Sequence, residues 1–375
     1  MEEYLKPTLS QFDFSAVRES QCVSVSASET GKKKVKDKDT KQVGMQDTPV
    51  DLGLCVVLLG DTLLMELPLE ALSIFKEEGI SSVSRDFSLQ FLYNRLHWAE
   101  AETELKKKVE TSKGKNTKAP QKKNVQMAPV NRDLPSNCLP VDTRNLKYIV
   151  DPYNEGREAE ALSPSQKIQE ILEKYHDLFT VQWEGVIGNM CAPSQAEWEQ
   201  LLTNCSAFLF YGMERFMSHV LLDWLVAMNI PKCRLVILLD LVRSQQSFRR
   251  IANSDLHKSC LRIALERPTE TAMLLSLTGV GSIVATQWYT NLEENAERLE
   301  TLFENLLSFG RTTGQTIHVL QKSRSHRKRH SMKNSHSSPG DKIEEQILCS
   351  SSDPPASHPS CFNCVLYGLP NIVLM

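Results

Sequence analysis

Nowhere do the 375 residues hold a run of about eighteen apolar side chains, so no membrane-spanning helix is expected. The opening, MEEYLKPTLSQFDFSAVRES, lacks an uninterrupted apolar stretch, and no secretory signal is expected. Charge of neither sign dominates: the formal net charge is −3, which gives no whole-chain reason to bind a membrane or nucleic acid. The ten cysteines follow no framework spacing. Cys55 and Cys233 sit in strongly apolar stretches, where reduced cysteine behaves as a small hydrophobe, and a reducing cytoplasmic setting fits best. No self-similarity at a period of about 34 residues marks a helical repeat. A phosphate-cradling loop is missing too, because Gly279-Val-Gly281 has no following Lys-Ser/Thr and runs into a strand. Neither a metal nor an organic cofactor is called for.

What the chain does have is an uneven distribution of charge. Three stretches are too polar to repay the entropy of ordering, and the expectation is a disordered tail and two disordered insertions. They are residues 1–51, with the run GKKKVKDKDTK, about 100–140, with Lys106, Lys107, Lys108, Lys113, Lys115, Lys118, Lys122 and Lys123, and about 323–359, with KSRSHRKRH. Such basic runs could dock an acidic partner such as tubulin or nucleic acid. The plainer reading is a solvated loop, and no aromatic residues interleave as single-strand nucleic-acid binding would need.

Between these stretches, short apolar runs alternate with amphipathic ones. Leu54–Leu59, Lys147–Val150, Ala207–Tyr211, Arg234–Leu239, Ser282–Ala285 and Phe362–Tyr367 read as buried strands. A helix is expected from Ser163 to Phe179, with Ser163 as N-cap and Pro164 at its first position. Another starts at the capping-box pattern Ser194-x-x-Glu197. Further helices are expected over Val220–Met228, over Ala272–Leu277 with Gly279 behind it, and from Asn291 to near Gly310. Continuous apolar strands alternating with helices give an α/β fold, with a mainly parallel sheet covered on both faces.

Ligand and catalytic groups of such a sheet gather beyond the carboxyl ends of its strands. There the sequence offers Gly212, Met213 and Glu214, then Asp240, Leu241, Val242, Arg243 and Ser244, then Thr286, Gln287 and Trp288. Neither of the first two strand ends carries a His or a Cys. Cys205 and Cys233 precede their strands and belong to the opposite edge, while His219 reads as a helix-face histidine. A cysteine nucleophile needs its base within hydrogen-bond reach, and nothing in the linear order provides that. His257 and Cys260 have helical i, i+3 spacing, read as a satisfied or exposed pair. Cys349, His358, Cys361 and Cys364 resemble a zinc cluster in spacing, but the last two abut or enter an apolar run and no structural metal is expected.

The order of motifs resembles the CHAT domain, the caspase-like domain found beside tetratricopeptide repeats. Its carriers are LLGDTLLMELPLEAL (Leu58–Leu72), FSLQFL (Phe87–Leu92), Val150-Asp151-Pro152, LTGVGSIVATQW (Leu277–Trp288) and CFNCVLYGLP (Cys361–Pro370). The resemblance spans residues 52–372 and implies a caspase/separase-like sheet. Active members carry His-Gly after the strand matching Ala207–Phe210 and Cys after the strand matching Arg234–Leu239. Here those positions read Tyr211-Gly212 and, within a residue of alignment, Leu241. A degenerate dyad is therefore expected, leaving a binding module whose surface would include Gly212, Glu214, Asp240 and Arg243. Within the family the wording is similar to the end of a repeat protein of the axonemal central apparatus. That implies a cytoskeletal place in the cilium, central-apparatus proteins and possibly tubulin as partners, and a part in cilium movement. Two rivals stand beside this reading: a peptidase pairing Cys205 or Cys233 with His219, and an adaptor working through its basic runs.

Overall fold

A computed structural model describes residues 53–77, 79–98, 138–154, 163–176, 183–188, 193–242, 245–323 and 359–375. The basic runs and most of the three stretches expected to be disordered lie outside these residues.

The main sheet is assembled from β1 (Leu54–Leu59), β2 (Ile80–Asp86), β4 (Leu146–Val150), β5 (Glu184–Ile187), β6 (Ala207–Tyr211), β7 (Leu235–Leu239), β8 (Ser282–Thr286) and β9 (Cys364–Gly368). Their order is β1-β2-β9-β8-β7-β6-β4-β5. Every neighbouring pair is parallel except β8–β9, so two parallel blocks meet at one antiparallel seam. β3 (Leu139–Val141) and β10 (Ile372–Leu374) form a separate parallel pair. The seam explains a glycine: Gly368 ends β9 at φ +84, and a Cβ there would run into the Gly281 carbonyl.

Because strand side chains alternate, each central strand feeds two cores. On one face Leu209, Tyr211, Ile237, Leu239 and Val284 pack with Ile168, Leu299, Phe303 and Ile317. On the other Phe208, Phe210, Val236, Leu238 and Ile283 pack with Trp198, Phe216, Leu225 and Leu275. The first face is covered by α2 (Pro164–Lys174), α9 (Leu292–Phe303) and α10 (Thr313–Ser323). The second is covered by α3 (Gln195–Thr203), α4 (Phe216–His219), α5 (Leu222–Ala227) and α8 (Pro268–Leu277). A one-turn helix, α1 (Thr62–Met65), follows β1, and α6 (Gln245–Asp255) and α7 (Cys260–Leu265) lie between β7 and α8.

The expected caps are in place. Ser163 Oγ accepts from Gln166 N–H, and Asn291 Oδ1 accepts from Glu294 N–H. Ser194 and Glu197 close a reciprocal capping box. Some expectations are corrected. α2 ends at Lys174, not Phe179, and α9 passes into a π-helical turn at Glu304–Ser308 before Gly310. His257 and Cys260 do not share a helix, because Ser259 Oγ accepts from Arg262 N–H and starts α7 afresh.

Leu54–Leu59 is not a buried strand but the half-exposed edge of the sheet. The strand beside it, β2, reads ISSVSRD, gave no apolar signal, and is almost wholly buried. Two ion pairs make that burial tolerable. Arg85 Nε donates to Glu70 Oε1 at 2.7 Å, and its terminal nitrogens bond Glu70 Oε2 and the carbonyls of Met65 and Leu67. Asp86 Oδ2 meets Arg95 Nε at 3.1 Å, while Arg95 also donates to the Val280 and Gly281 carbonyls and to Ser276 Oγ. Glu70 of the Leu-Pro-Leu-Glu-Ala-Leu stretch is thus bound to Arg85 of the next strand.

Candidate functional site

The carboxyl ends of β4, β6, β7 and β8 lie side by side, with Val150 in register with Tyr211 and Tyr211 with Leu239. Beyond each end the chain turns sharply. Asp151 stands at φ +41 and Leu241 at φ +60, a left-handed conformation that is costly for a residue with a branched side chain. Ladder-like bonds hold these turns: Asp151 N–H donates to Tyr211 O at 2.8 Å, Gly212 N–H to Leu239 O at 3.2 Å, and Thr290 N–H to Leu241 O at 3.0 Å. The backbone at this edge is bent and braced as a site requires, and the side chains decide what it can do.

Tyr211, at the first dyad position, is fully buried, and its hydroxyl has no hydrogen-bond partner among the described residues. Burial, helped by the Asp151 carboxylate, pushes the phenol far above its ordinary range, so it carries no charge to act as a base. Leu241, at the second position, is buried and offers no nucleophile. Gly212 is buried, with the Phe210 ring where a side chain would begin. Asp240 is the acid directly beyond β7, and burial raises its carboxyl to about 6. A raised acid at a strand end is a usual mark of a functional site. Here its oxygens are already committed: Oδ2 accepts from Phe216 N–H at 2.9 Å and Oδ1 from Thr286 Oγ1 at 3.1 Å. Asp240 therefore ties β7 to the start of α4 and to the end of β8. Glu214 is buried and paired with Arg250 Nε at 3.0 Å, and that guanidinium lies 3.9 Å from the centroid of the Tyr153 ring. Arg243 lies outside the described residues.

The rival pairs do not meet. His219 sits in α4 among Trp198, Phe210 and Tyr153, with ring centroids 6.0, 5.4 and 5.5 Å away. Burial first, then Arg250 and Lys258, lowers its pKa to about 4, so it is neutral. Cys205 and Cys233 precede β6 and β7, and both are buried. Each thiol donates to a backbone carbonyl, Cys205 to Leu202 O and Cys233 to Leu235 O, and the neighbouring Cys205 thiol together with burial raises Cys233 well above the usual thiol range. At about 3.3 Å per strand residue, Cys205 lies roughly 16 Å along the sheet from Phe210, against which His219 packs. Cys361 and Cys364 are buried, Cys364 as the first residue of β9 with burial pushing its thiol up to about 12, while Cys349 and His358 lie outside the described residues.

Sequence reading missed the charged group that covers this edge. Arg215, three residues past Gly212, grips Asp255 through both terminal nitrogens at 3.0–3.1 Å and meets Glu266 at 3.2 Å. The Glu266 side chain is completely buried and also pairs with Lys258 at 2.8 Å and Arg262 at 3.3 Å. The signal was available: Asp255, Lys258, Arg262 and Glu266 recur at spacings of three and four. Between Arg215, Phe248, Ile251, Asp255 and Tyr289 lies a cavity of about 330 Å³.

No protein-family model matches the chain. Two crystal structures of the Saccharomyces cerevisiae separase–securin complex are similar to it. One covers 86% of the chain at 16% identity with a TM-score of 0.50, the other 85% at 16% identity with a TM-score of 0.49. The fold is caspase-like, of the separase kind. The chain spans 16% of the length of the proteins matched, and at this identity the likeness speaks for the fold alone.

Proposed function

We propose that this caspase-like domain is a non-catalytic binding and assembly module. The observation that carries the reading is the pair of residues at the two strand ends: a buried Tyr211 and a buried Leu241 stand where the CHAT family places its His and Cys. The sharp turns at the strand ends, with Leu241 left-handed, fit a braced edge that carries no nucleophile at that position. The Arg215–Asp255–Glu266 group covers part of the same edge with ion pairs. We place the chain in the CHAT family, where Glu70 and Gly368 now have physical reasons to occupy its motifs.

The finer reading is also ours. The stretches TLLMELPLEALSIF, FYGMERF and VLYGLPNIV are similar to the carboxyl-terminal region of cilia- and flagella-associated protein 46. We therefore assign the module to the axoneme, with central-apparatus proteins as partners, tubulin as a further candidate, and support of cilium movement as its role. The decisive test is a cysteine-directed peptidase probe on the purified, reduced chain, with the labelled sites mapped by mass spectrometry. Slow labelling confined to exposed cysteines such as Cys55 and Cys260 is expected. Fast labelling of one cysteine at neutral pH, abolished by His219→Ala, would overturn the reading and restore the peptidase.

A further inference from the structure

The edge of a sheet presents a row of unpaired N–H and C=O groups, and proteins guard such edges with charge, proline, a bulge or a covering element. The two edges of the main sheet differ in this respect. β5 is four residues long, EGVI, and begins with Glu184, whose side chain is 64% exposed and pairs with Lys147 of β4. β1, at the other edge, is LCVVLL, six residues with no charge and no proline. Its pairing with β2 runs unbroken from Cys55 to Leu59, and the one irregularity is an extra residue, Ser81, on the β2 side. Among the described residues no strand lies beyond β1.

The backbone shows which groups are open. Leu54 N–H donates to Gly79 O and Leu54 O accepts from Ser81 Oγ, so Leu54 turns its peptide groups towards β2. Alternation along the strand then turns Val56 and Leu58 the same way and points the N–H and C=O of Cys55, Val57 and Leu59 outward. No turn, loop or cap bond reaches any of these three. The side chains of Leu54, Val56 and Leu58 pack with Leu72 and Phe75, while Cys55 and Leu59 are exposed and Val57 is half-buried.

Three outward residues spaced by two are complementary to themselves. In an antiparallel pair, every second residue exchanges both of its bonds with the residue opposite. With a two-fold axis at Val57, Val57 meets Val57 of a second copy and Cys55 meets Leu59, so every outward N–H and C=O gains a partner. Opposed side chains share a face, and all of them here are apolar, so no like charges meet. Leu63 and Leu67, in and just after the α1 turn that follows β1, are 73% and 40% exposed and add apolar surface beyond the strand's end. Pairing β1 with β5 of another copy would be a head-to-tail contact, which runs on into a filament unless it closes, and it would bring Glu184 against the apolar strand.

We propose that β1 is a self-association edge: two copies of this chain pair antiparallel through Leu54–Leu59, about a two-fold axis at Val57, and join their sheets. The inference goes beyond the functional reading, since it holds whether or not the domain is catalytic.

The test is sedimentation velocity of the full chain across a concentration series, with hydrogen exchange on the same samples. The weight-average mass should rise towards twice that of the monomer, and the amides of Val57 and Leu59 should exchange about tenfold more slowly in the concentrated sample than in the dilute one. Val57→Lys and Val57→Glu each set like charges face to face, and each should stay monomeric. Mixed in equal amounts they should pair again, a result that misfolding does not produce. A parent chain that stays monomeric, or a dimer that neither variant weakens, would overturn the proposal. Failure of the mixture to pair, with both variants folded by circular dichroism, would overturn the axis at Val57. Slowly exchanging Val57 and Leu59 amides in a monomer would overturn it in favour of a segment of the same chain lying along β1. Growth past the dimer into filaments would overturn it in favour of head-to-tail pairing.

Discussion

Removing both partners of the Glu70–Arg85 pair should destabilise the protein far less than the two single removals added together. Both side chains are almost completely shielded from water, with 1% and 0% of their surfaces exposed. Burial alone would lower the pKa of Arg85, but the hydrogen bonds and charge of Glu70 outweigh it and the guanidinium ends above its ordinary value. The charge therefore stays, and its compensation comes from Glu70. Glu70→Leu leaves a buried cation alone, at a cost of about 3–5 kcal/mol. Arg85→Met strands the Glu70 carboxylate, at a similar cost, and also frees the Met65 and Leu67 carbonyls, about 1–3 kcal/mol each if water cannot reach them. The double variant retains only the carbonyl cost, about 2–6 kcal/mol. A double-mutant cycle by urea denaturation, followed by circular dichroism, should thus give a coupling energy above about 3 kcal/mol. Additive single changes, within about 0.5 kcal/mol, would refute the idea that this pair secures β2 in the core.

Gly314, at the start of α10, lets the helix approach β2, since a Cβ there would come within 2.6 Å of Ser82 Cβ. Gly314→Ala should cost about 1–3 kcal/mol of thermal or urea stability, and Ser82→Gly should restore part of it. A stabilising Gly314→Ala would show that the contact is loose. Against a thiol reagent at pH 7.5, exposed Cys55 and Cys260 should react at once, and buried Cys205, Cys233 and Cys364 only in urea. Native-state reaction of Cys205 or Cys233 would contradict their burial. Acid should bring two opposing effects. His219 and His318 fall to about 4 when folded, from about 6.5 unfolded, so their contribution is full above pH 6.5 and is lost as pH falls towards 4. Asp240 rises to about 6, so the folded state takes up its proton first, and its contribution fades as pH rises through 6. Between pH 6.5 and 4, stability should therefore fall less steeply in His219→Phe and more steeply in Asp240→Asn than in the parent chain. An unchanged profile in His219→Phe would mean that the ring is solvated.

The central part of this protein could be read from its sequence because composition alone determined it. β4, β6, β7, β8 and β9 are apolar on both faces, and a strand buried on both sides has no room for alternation. The caps at Ser163, Ser194 and Asn291 were legible for a similar reason, since each is satisfied within three residues. That Tyr211 and Leu241 stand at or just beyond strand ends was legible too, because residue identity needs no coordinates.

Tertiary structure decided the rest. Leu54–Leu59 looked like core and became an edge, while the polar ISSVSRD took the inner place. No local rule places β2 there, because its polar groups are satisfied by Glu70, fifteen residues before Arg85, and by Arg95, nine residues after Asp86. The short helices Phe216–His219 and Cys260–Leu265 escaped notice because four to six residues show too little periodicity to read. The fate of Asp240 and Glu214 followed the same logic. Their position at the carboxyl edge was legible, but whether each carboxylate faces solvent or a partner depended on Phe216, Thr286 and Arg250 arriving from other elements. Burial of apolar surface is written in a strand's own residues, whereas satisfaction of a polar group belongs to the pair and appears only once distant segments meet.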